Sequence, residues 1–264
     1  MKNEYIDLLK QTSRTFAIPI LGSPSPLREA IASAYLCMRA IDEIEDDAHL
    51  AGEDKIQLLD AIGQILKGKE FNASVRELHT VLSPYADRLP TVTLALPETS
   101  MLAVEEIRLI IWQYTSDMAF AMAQWVKRDW RIQNEKDLDQ YTFDVAGRVG
   151  LLLTRLWKWH DRTVCDDDLA VGFGRALQAV NIVRNQTEDR VRGVDFYPYG
   201  WDRKDMIRYA RKQIGFADDY MAGLGKGPAR NFCIIPLELA RATLTAIEIG
   251  KEKLSRDAVH HLVP

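Results

Sequence analysis

Residues 176–189 most constrain how this chain can fold. The run Ala176-Leu177-Gln178-Ala179-Val180-Asn181-Ile182-Val183 is apolar apart from Gln178 and Asn181, and Asn185 and Asp189 continue the polar series in steps of four. An α-helix keeps positions i, i+4 and i+8 on one slowly drifting stripe. A helix this apolar on its other faces is buried, and amides buried with it are costly unless partnered. The fold must therefore supply partners along that stripe, either polar groups of neighbouring helices or a bound cation and anion. Three oxygen-bearing side chains, with Arg184 and Arg192 nearby, suit a magnesium ion and a phosphate.

The rest of the chain reads as helices. Residues 4–17 form a short amphipathic helix, and Pro19, Gly22, Pro24 and Pro26 mark a loop. Ser25-Pro26 then starts a helix to about Asp47, with Ser25 as N-cap and Pro26 in the first turn. Helices near 54–67 and 72–83 follow, Leu89–Pro97 interrupts the pattern, and Thr99-Ser100 caps a long helix to about Trp130. Asp137–Leu156 is a helix interrupted by Gly147 and Gly150, and Asp166–Asp168 caps the one that carries the opening stripe. Arg203–Leu224, a turn at Gly225–Pro228 and a last helix to about Ser255 complete the chain. No stretch sustains strand alternation, and there is no repeat or low-complexity linker. The expectation is an all-α fold in a single domain spanning residues 1–264.

Composition removes several function classes. A formal net charge of −4 over 264 residues lacks the basic footprint of a nucleic-acid binder, so none is expected as a partner. Cys37, Cys165 and Cys233 form neither a CxxC pair nor a zinc spacing and read as reduced thiols of a cytoplasmic protein. The N-terminal segment carries charges throughout and no signal-like apolar run, and no uncharged stretch reaches the ~18 residues of a membrane span. A soluble protein is expected. His49, His79, His160, His260 and His261 have no metal-ligand spacing, and no P-loop, GxSxG or GxGxxG fingerprint occurs.

A second stripe has the same design. Tyr35, Arg39, Asp42 and Asp46 fall at offsets of 0, 4, 7 and 11, against 0, 3, 7 and 11 for Gln178, Asn181, Asn185 and Asp189. Asp42 and Asp46 repel at i, i+4 unless a cation lies between them. Magnesium takes carboxylate oxygens and keeps sites for phosphate oxygens, so two such helices facing a cavity would hold metal ions and a diphosphate. A solvated acidic face and an interhelical hydrogen-bond network are the plainer alternatives. A third segment, Tyr141-Thr142-Phe143-Asp144-Val145-Ala146-Gly147-Arg148-Val149-Gly150, places small residues at 146, 147 and 150. They serve either close helix packing or a groove for an apolar chain.

These motifs, in this order, resemble the squalene/phytoene synthase family of head-to-head prenyl transferases. Ser13-Arg14-Thr15-Phe16-Ala17 resembles its early Ser-[Arg/Lys]-[Ser/Thr]-Phe segment. Tyr35-Leu36-Cys37-Met38-Arg39 with Asp42 and Asp46 resembles its first acidic motif, with Met38 at the usual Cys position. Tyr141 with Val145-Ala146-Gly147 and Val149-Gly150 resembles the prenyl-lining segment, and Gln178, Asn181, Ile182 and Arg184 lead into the second acidic motif. Asn231-Phe232-Cys233-Ile234-Ile235-Pro236, followed by Ala240, Ala242, Thr243 and Leu244, is similar to the late signature of the squalene synthase branch. The resemblance runs from Ser13 to about Val259. Two positions depart: Asn185 stands where the family has Asp, and Val194 where it has Arg, with Arg192 two residues upstream.

The resemblance implies an isoprenoid synthase bundle that ionises farnesyl diphosphate, or a similar allylic diphosphate, with Mg2+ and joins two units to a presqualene diphosphate or squalene-type C30 product. Asp42, Asp46, Asn185 and Asp189 would bind metal. Tyr35, Arg39, Tyr141 and Arg184 would be catalytic. Ser13, Arg14, Phe16, Phe143, Val145, Gly150, Gln178, Asn181 and Arg192 would bind substrate. Reduction to squalene would also use NADPH, for which no nucleotide motif is present. A C30 product would favour release at a bilayer, a peripheral membrane contact. Ionisation without coupling, giving a prenyl alcohol or cyclised terpene, and a non-catalytic prenyl-lipid binder are the rival expectations.

Overall fold

The computed structural model describes residues 1–251, with Arg14 described by its backbone alone. Expectations resting on the Arg14 side chain, on His260 and His261, and on a last helix reaching Ser255 therefore lie outside the described residues. Every regular element among the described residues is helical, as the sequence predicts. The chain divides into two compact units, Met1–Asp129 and Trp130–Pro264.

The first unit contains α1 (Asn3–Thr12), α2 (Arg14–Leu21), α3 (Leu27–Asp46), α4 (Gly52–Leu66), α5 (Phe71–Leu82), the short turns α6 (Thr91–Leu94) and α7 (Leu96–Thr99), and α8 (Glu105–Lys127). Its centre is α3. From Ala30 onward every α3 position is buried except Tyr35, Arg39, Asp42, Glu43 and Asp46. Leu36, Ala40, Ile41 and Ile44 have no exposed surface, which is the burial that holds α3 among α8, α6 and α7. The hydroxyls of Ser33 and Thr93 tie it to the short turns through Thr99 O at 2.8 Å and Ala40 O at 3.3 Å.

The second unit contains α9 (Glu135–Thr142), a π-helical segment at Phe143–Gly147, α10 (Arg148–Asp161), α11 (Asp167–Val191), α12 (Arg203–Gly223) and α13 (Pro228–Glu248). Its centre is α11, capped by Asp166, whose side chain accepts from Leu169 N at 3.0 Å. Glycines let the neighbouring helices approach it to backbone contact. A Cβ on Gly150 would lie 2.1 Å from Ala170 O, and one on Gly174 would lie 2.2 Å from Ala146 O. Close helix packing, the simpler of the two readings of the small residues, therefore accounts for Gly150. The void its missing side chain leaves is filled by α11 backbone.

Several expected boundaries move, each for a local reason. The helix expected over 4–17 breaks at Ser13, which is extended at φ −160° and ψ 108°. Its hydroxyl instead caps α2 by accepting from Phe16 N at 3.2 Å. Pro19 does not open a loop: it sits inside α2, two residues from its end, where its missing N–H removes little of the ladder. The next helix starts at Leu27, and Ser25 does not cap it. Thr99 and Ser100 end α7 rather than start α8, their hydroxyls reaching back to Leu96 O and Pro97 O. Gly147 does not interrupt its helix: one wide π turn carries the chain through it.

The packing predicts opposite outcomes for two glycines. Gly150→Ala should cost about 1–3 kcal/mol, because backbone rather than a flexible side chain must yield. Gly215→Ala on α12, where an added Cβ meets nothing within 4 Å, should stabilise by up to about 1 kcal/mol. Urea unfolding of the two variants checks both.

Candidate functional site

The unburied face of α3 is a line of chemistry. Tyr35, Arg39, Asp42, Glu43 and Asp46 recur at helical spacing, and every other late position of α3 packs into the core. Phe16 of α2 lies against Tyr35, with ring centroids 5.8 Å apart. Burial pushes the Tyr35 hydroxyl above its ordinary pKa, and the Thr12 and Ser13 hydroxyls and the charge of Arg39 offset this only in part. Tyr35 is thus a neutral hydrogen-bonding phenol at physiological pH. Cys37, turned into the core, is pushed by burial up to about 12 and is no nucleophile.

Arg39 joins this face together. Its NH1 donates to Asp42 Oδ2 at 2.7 Å, its Nε to Glu43 Oε1 at 2.9 Å, and its NH2 to the same Glu43 oxygen. Burial alone would pull the guanidinium pKa down, but Asp42 and Glu43 outweigh it and raise it. One turn on, carboxylate oxygens of Asp42, Glu45 and Asp46 come within 4.8 Å of one another. Glu45 is buried at 2% exposure, and the ammonium of Lys55, itself 6% exposed, donates to the Glu45 main-chain oxygen at 2.7 Å. Three clustered carboxylates are hard oxygen donors and fit magnesium by their chemistry.

In the second unit the α11 stripe lies as expected. Gln178, Asn181 and Asn185 are half-buried between core positions such as Ala179, Val180, Ile182 and Val183, and Asp189 is buried at 7% exposure. Arg192 NH2 donates to Asp189 Oδ1 at 2.7 Å, so the charge expected at position 194 is supplied from two residues earlier. Arg184 is exposed and its Nε donates to Asn185 Oδ1 at 3.0 Å. The π segment presents Phe143 and Val145 half-buried, with the Arg148 guanidinium 5.0 Å over the Phe143 ring and paired to Asp144 at 2.9 Å. Tyr141 is buried and stacks on Phe196 at 4.6 Å.

Sequence reasoning missed Glu43, Glu45 and Lys55. A signal existed for the first two. Glu43 stands at i+4 from Arg39, and Glu45 at i+3 from Asp42, both same-face spacings. Lys55 lies on another helix and gave none.

A family model described as squalene/phytoene synthase matches residues 9–198, from α1 through the α11 stripe to Pro198. The chain belongs to the squalene/phytoene synthase family. It is 31% identical to the squalene synthase of Rattus norvegicus over 265 residues, covering 90% of this chain and 62% of that protein. To squalene synthase ERG9 of Saccharomyces cerevisiae it is 28% identical, covering 94% of this chain and 62% of that protein. The chain thus spans less than two thirds of the length of these relatives. Among solved structures, a complex of TcSQS with the ligand E5700 superposes with a TM-score of 0.78 at 24% identity, covering 99% of this chain and 84% of that one. A dehydrosqualene synthase with bound ligand gives 0.66 at 17% identity, covering 99% and 93%. The fold is that of the squalene synthase-type terpenoid synthases. No helix of the described residues is long and apolar enough to cross a membrane.

The donor set predicts that Glu45→Gln weakens Mn2+ binding at least about tenfold, or ~1.4 kcal/mol. Titration of Mn2+ against the parent protein checks this, and an unchanged affinity would remove Glu45 from the cluster.

Proposed function

We propose that this chain is a Mg2+-dependent prenyltransferase that ionises farnesyl diphosphate, or a similar allylic prenyl diphosphate, and joins two units head to head to a presqualene diphosphate or squalene-type C30 product. The observation that carries the reading is the acidic turn of α3: carboxylates of Asp42, Glu45 and Asp46 gathered within 4.8 Å, with Arg39 donating to Asp42. Family membership supports it. Asn185 and Asp189 would complete the metal ligands, and residues 1–264 would work as one functional domain.

Magnesium, when bound, neutralises the diphosphate and makes it a better leaving group. The protein's own part is to orient and enclose. Asp42, Glu45 and Asp46 direct their oxygens to one point. Arg39 and Arg184 offer N–H donors to phosphate oxygens, and Gln178 and Asn181 orient the same anion through their amides. As the carbon–oxygen bond breaks, its electron pair leaves with the diphosphate and an allylic cation remains. Phe16, Tyr35 and Phe143 offer ring faces to that cation and exclude water. Tyr141 supports this wall through its stack on Phe196.

A second reading keeps the ionisation and ends in a prenyl alcohol or cyclised terpene. It is favoured by Asn185, which brings an uncharged oxygen already accepting from Arg184. It is favoured too by Val194, which carries no charge where the family has Arg. A non-catalytic prenyl-lipid binder is disfavoured by the intact acidic turn.

Incubating the purified protein with Mg2+ and farnesyl diphosphate, with and without NADPH, separates the readings through the organic extract. C30 product is expected. A C15 alcohol or hydrocarbon alone would establish the second reading, and no turnover on C15 or C20 diphosphates would favour the binder. Asp42→Ala should abolish turnover, and retained activity would remove Asp42 from the metal site.

A further inference from the structure

Arg39 is held by two carboxylates, and only one of them belongs to the clustered set. Glu43 takes two donors, Nε and NH2, on one edge of the guanidinium, while Asp42 takes the single donor NH1. Asp42 is also one of the three carboxylates gathered within 4.8 Å. The same side chain is therefore wanted from two directions, by Arg39 and by any divalent cation that enters the cluster. The guanidinium is planar with its five N–H groups in a fixed fork, so a grip on one edge sets the direction of the opposite donors. Both pairs are partly exposed, with Arg39 at 32%, Asp42 at 27% and Glu43 at 25% side-chain exposure. Pairs of this kind exchange by competition rather than by rupture of a buried ion pair.

We propose that Glu43 is a positioning residue that retains Arg39 while Asp42 turns to a divalent cation, so that cation binding leaves Arg39 NH1 directed at an anionic phosphate oxygen. Cation and diphosphate binding are thereby coupled through one arginine. The proposal rests on the functional reading above, in which Asp42 ligates metal and Arg39 meets diphosphate. A simpler role is open to Glu43, that of an i, i+4 partner which merely stabilises the helix. That role would leave cation affinity untouched.

The test is a double-mutant cycle read by Mn2+ affinity in phosphate-free buffer, using the paramagnetic resonance signal of free Mn2+, with melting temperatures to confirm folding. Glu43→Gln should raise the Mn2+ dissociation constant about three- to tenfold, because Arg39 then leans on Asp42. Arg39→Met should tighten Mn2+ binding by removing the competitor. In the Arg39→Met background, Glu43→Gln should change the constant by less than about twofold. With farnesyl diphosphate, Glu43→Gln should raise KM more than it lowers kcat, since Arg39 is misdirected in binding rather than removed. Should Glu43→Gln fold poorly, Glu43→Asp, with its shorter reach, carries the same test. An unchanged Mn2+ affinity in the parent background overturns the proposal, as does an equal weakening in both backgrounds, which would make Glu43 itself a ligand. Wild-type protein that binds no Mn2+, or Asp42→Asn that binds it as tightly as wild type, would instead defeat the underlying metal reading.

Discussion

Like charges gathered on one turn of a buried helix are the constraint on which the first unit depends. Asp42, Glu45 and Asp46 repel, yet Glu45 is almost without exposed surface. A buried carboxylate is tolerable only with partners and compensating charge. The chain places cations around the turn: Arg39 on its N-terminal side, and Lys55 beneath it on the Glu45 main-chain oxygen, where the C-terminal end of a helix also welcomes positive charge. The apolar remainder of α3 keeps the turn in place by having nowhere else to go. A cation site is in this sense a debt of repulsion that core packing holds in trust until metal arrives.

The second unit meets the same demand with less charge. Along α11, amides at Gln178, Asn181 and Asn185 lead to one buried carboxylate, Asp189, and Arg192 pairs with it. Amides offer both donors and acceptors and do not repel one another, so this helix needs fewer compensating cations. The asymmetry between an anionic stripe and an amide stripe is a property of this chain. It sets a carboxylate-rich turn in one unit against a largely neutral one in the other.

Much of this was legible in the sequence, for identifiable reasons. Long amphipathic periods placed α3, α4, α8, α11, α12 and α13, because an apolar helix face has only one way to leave water. Both polar stripes were readable because polar side chains at helical spacing in an apolar run have no cheap alternative. The misses arose where local hydrogen bonds competed with the helix, as Ser13, Thr99 and Ser100 did. They arose too where partners come from a distant helix, as with Lys55. Gly150 shows the limit most clearly. The sequence allowed either a groove or a close contact, and only the 2.1 Å approach to Ala170 O chooses between them.

The π turn at Phe143–Gly147 has a consequence for how this segment can vary. It holds one residue more than an α-turn would, so deleting a single residue there would restore regular α geometry. All of α10 would then rotate by about 100° relative to α9. Gly150 would swing away from Ala170, and a bulky neighbour would be driven into its place. Insertions and deletions are ordinarily absorbed by loops, but here the chain length of a helix is locked by a glycine contact further along it. The segment can therefore tolerate replacement of side chains far better than any change in residue count.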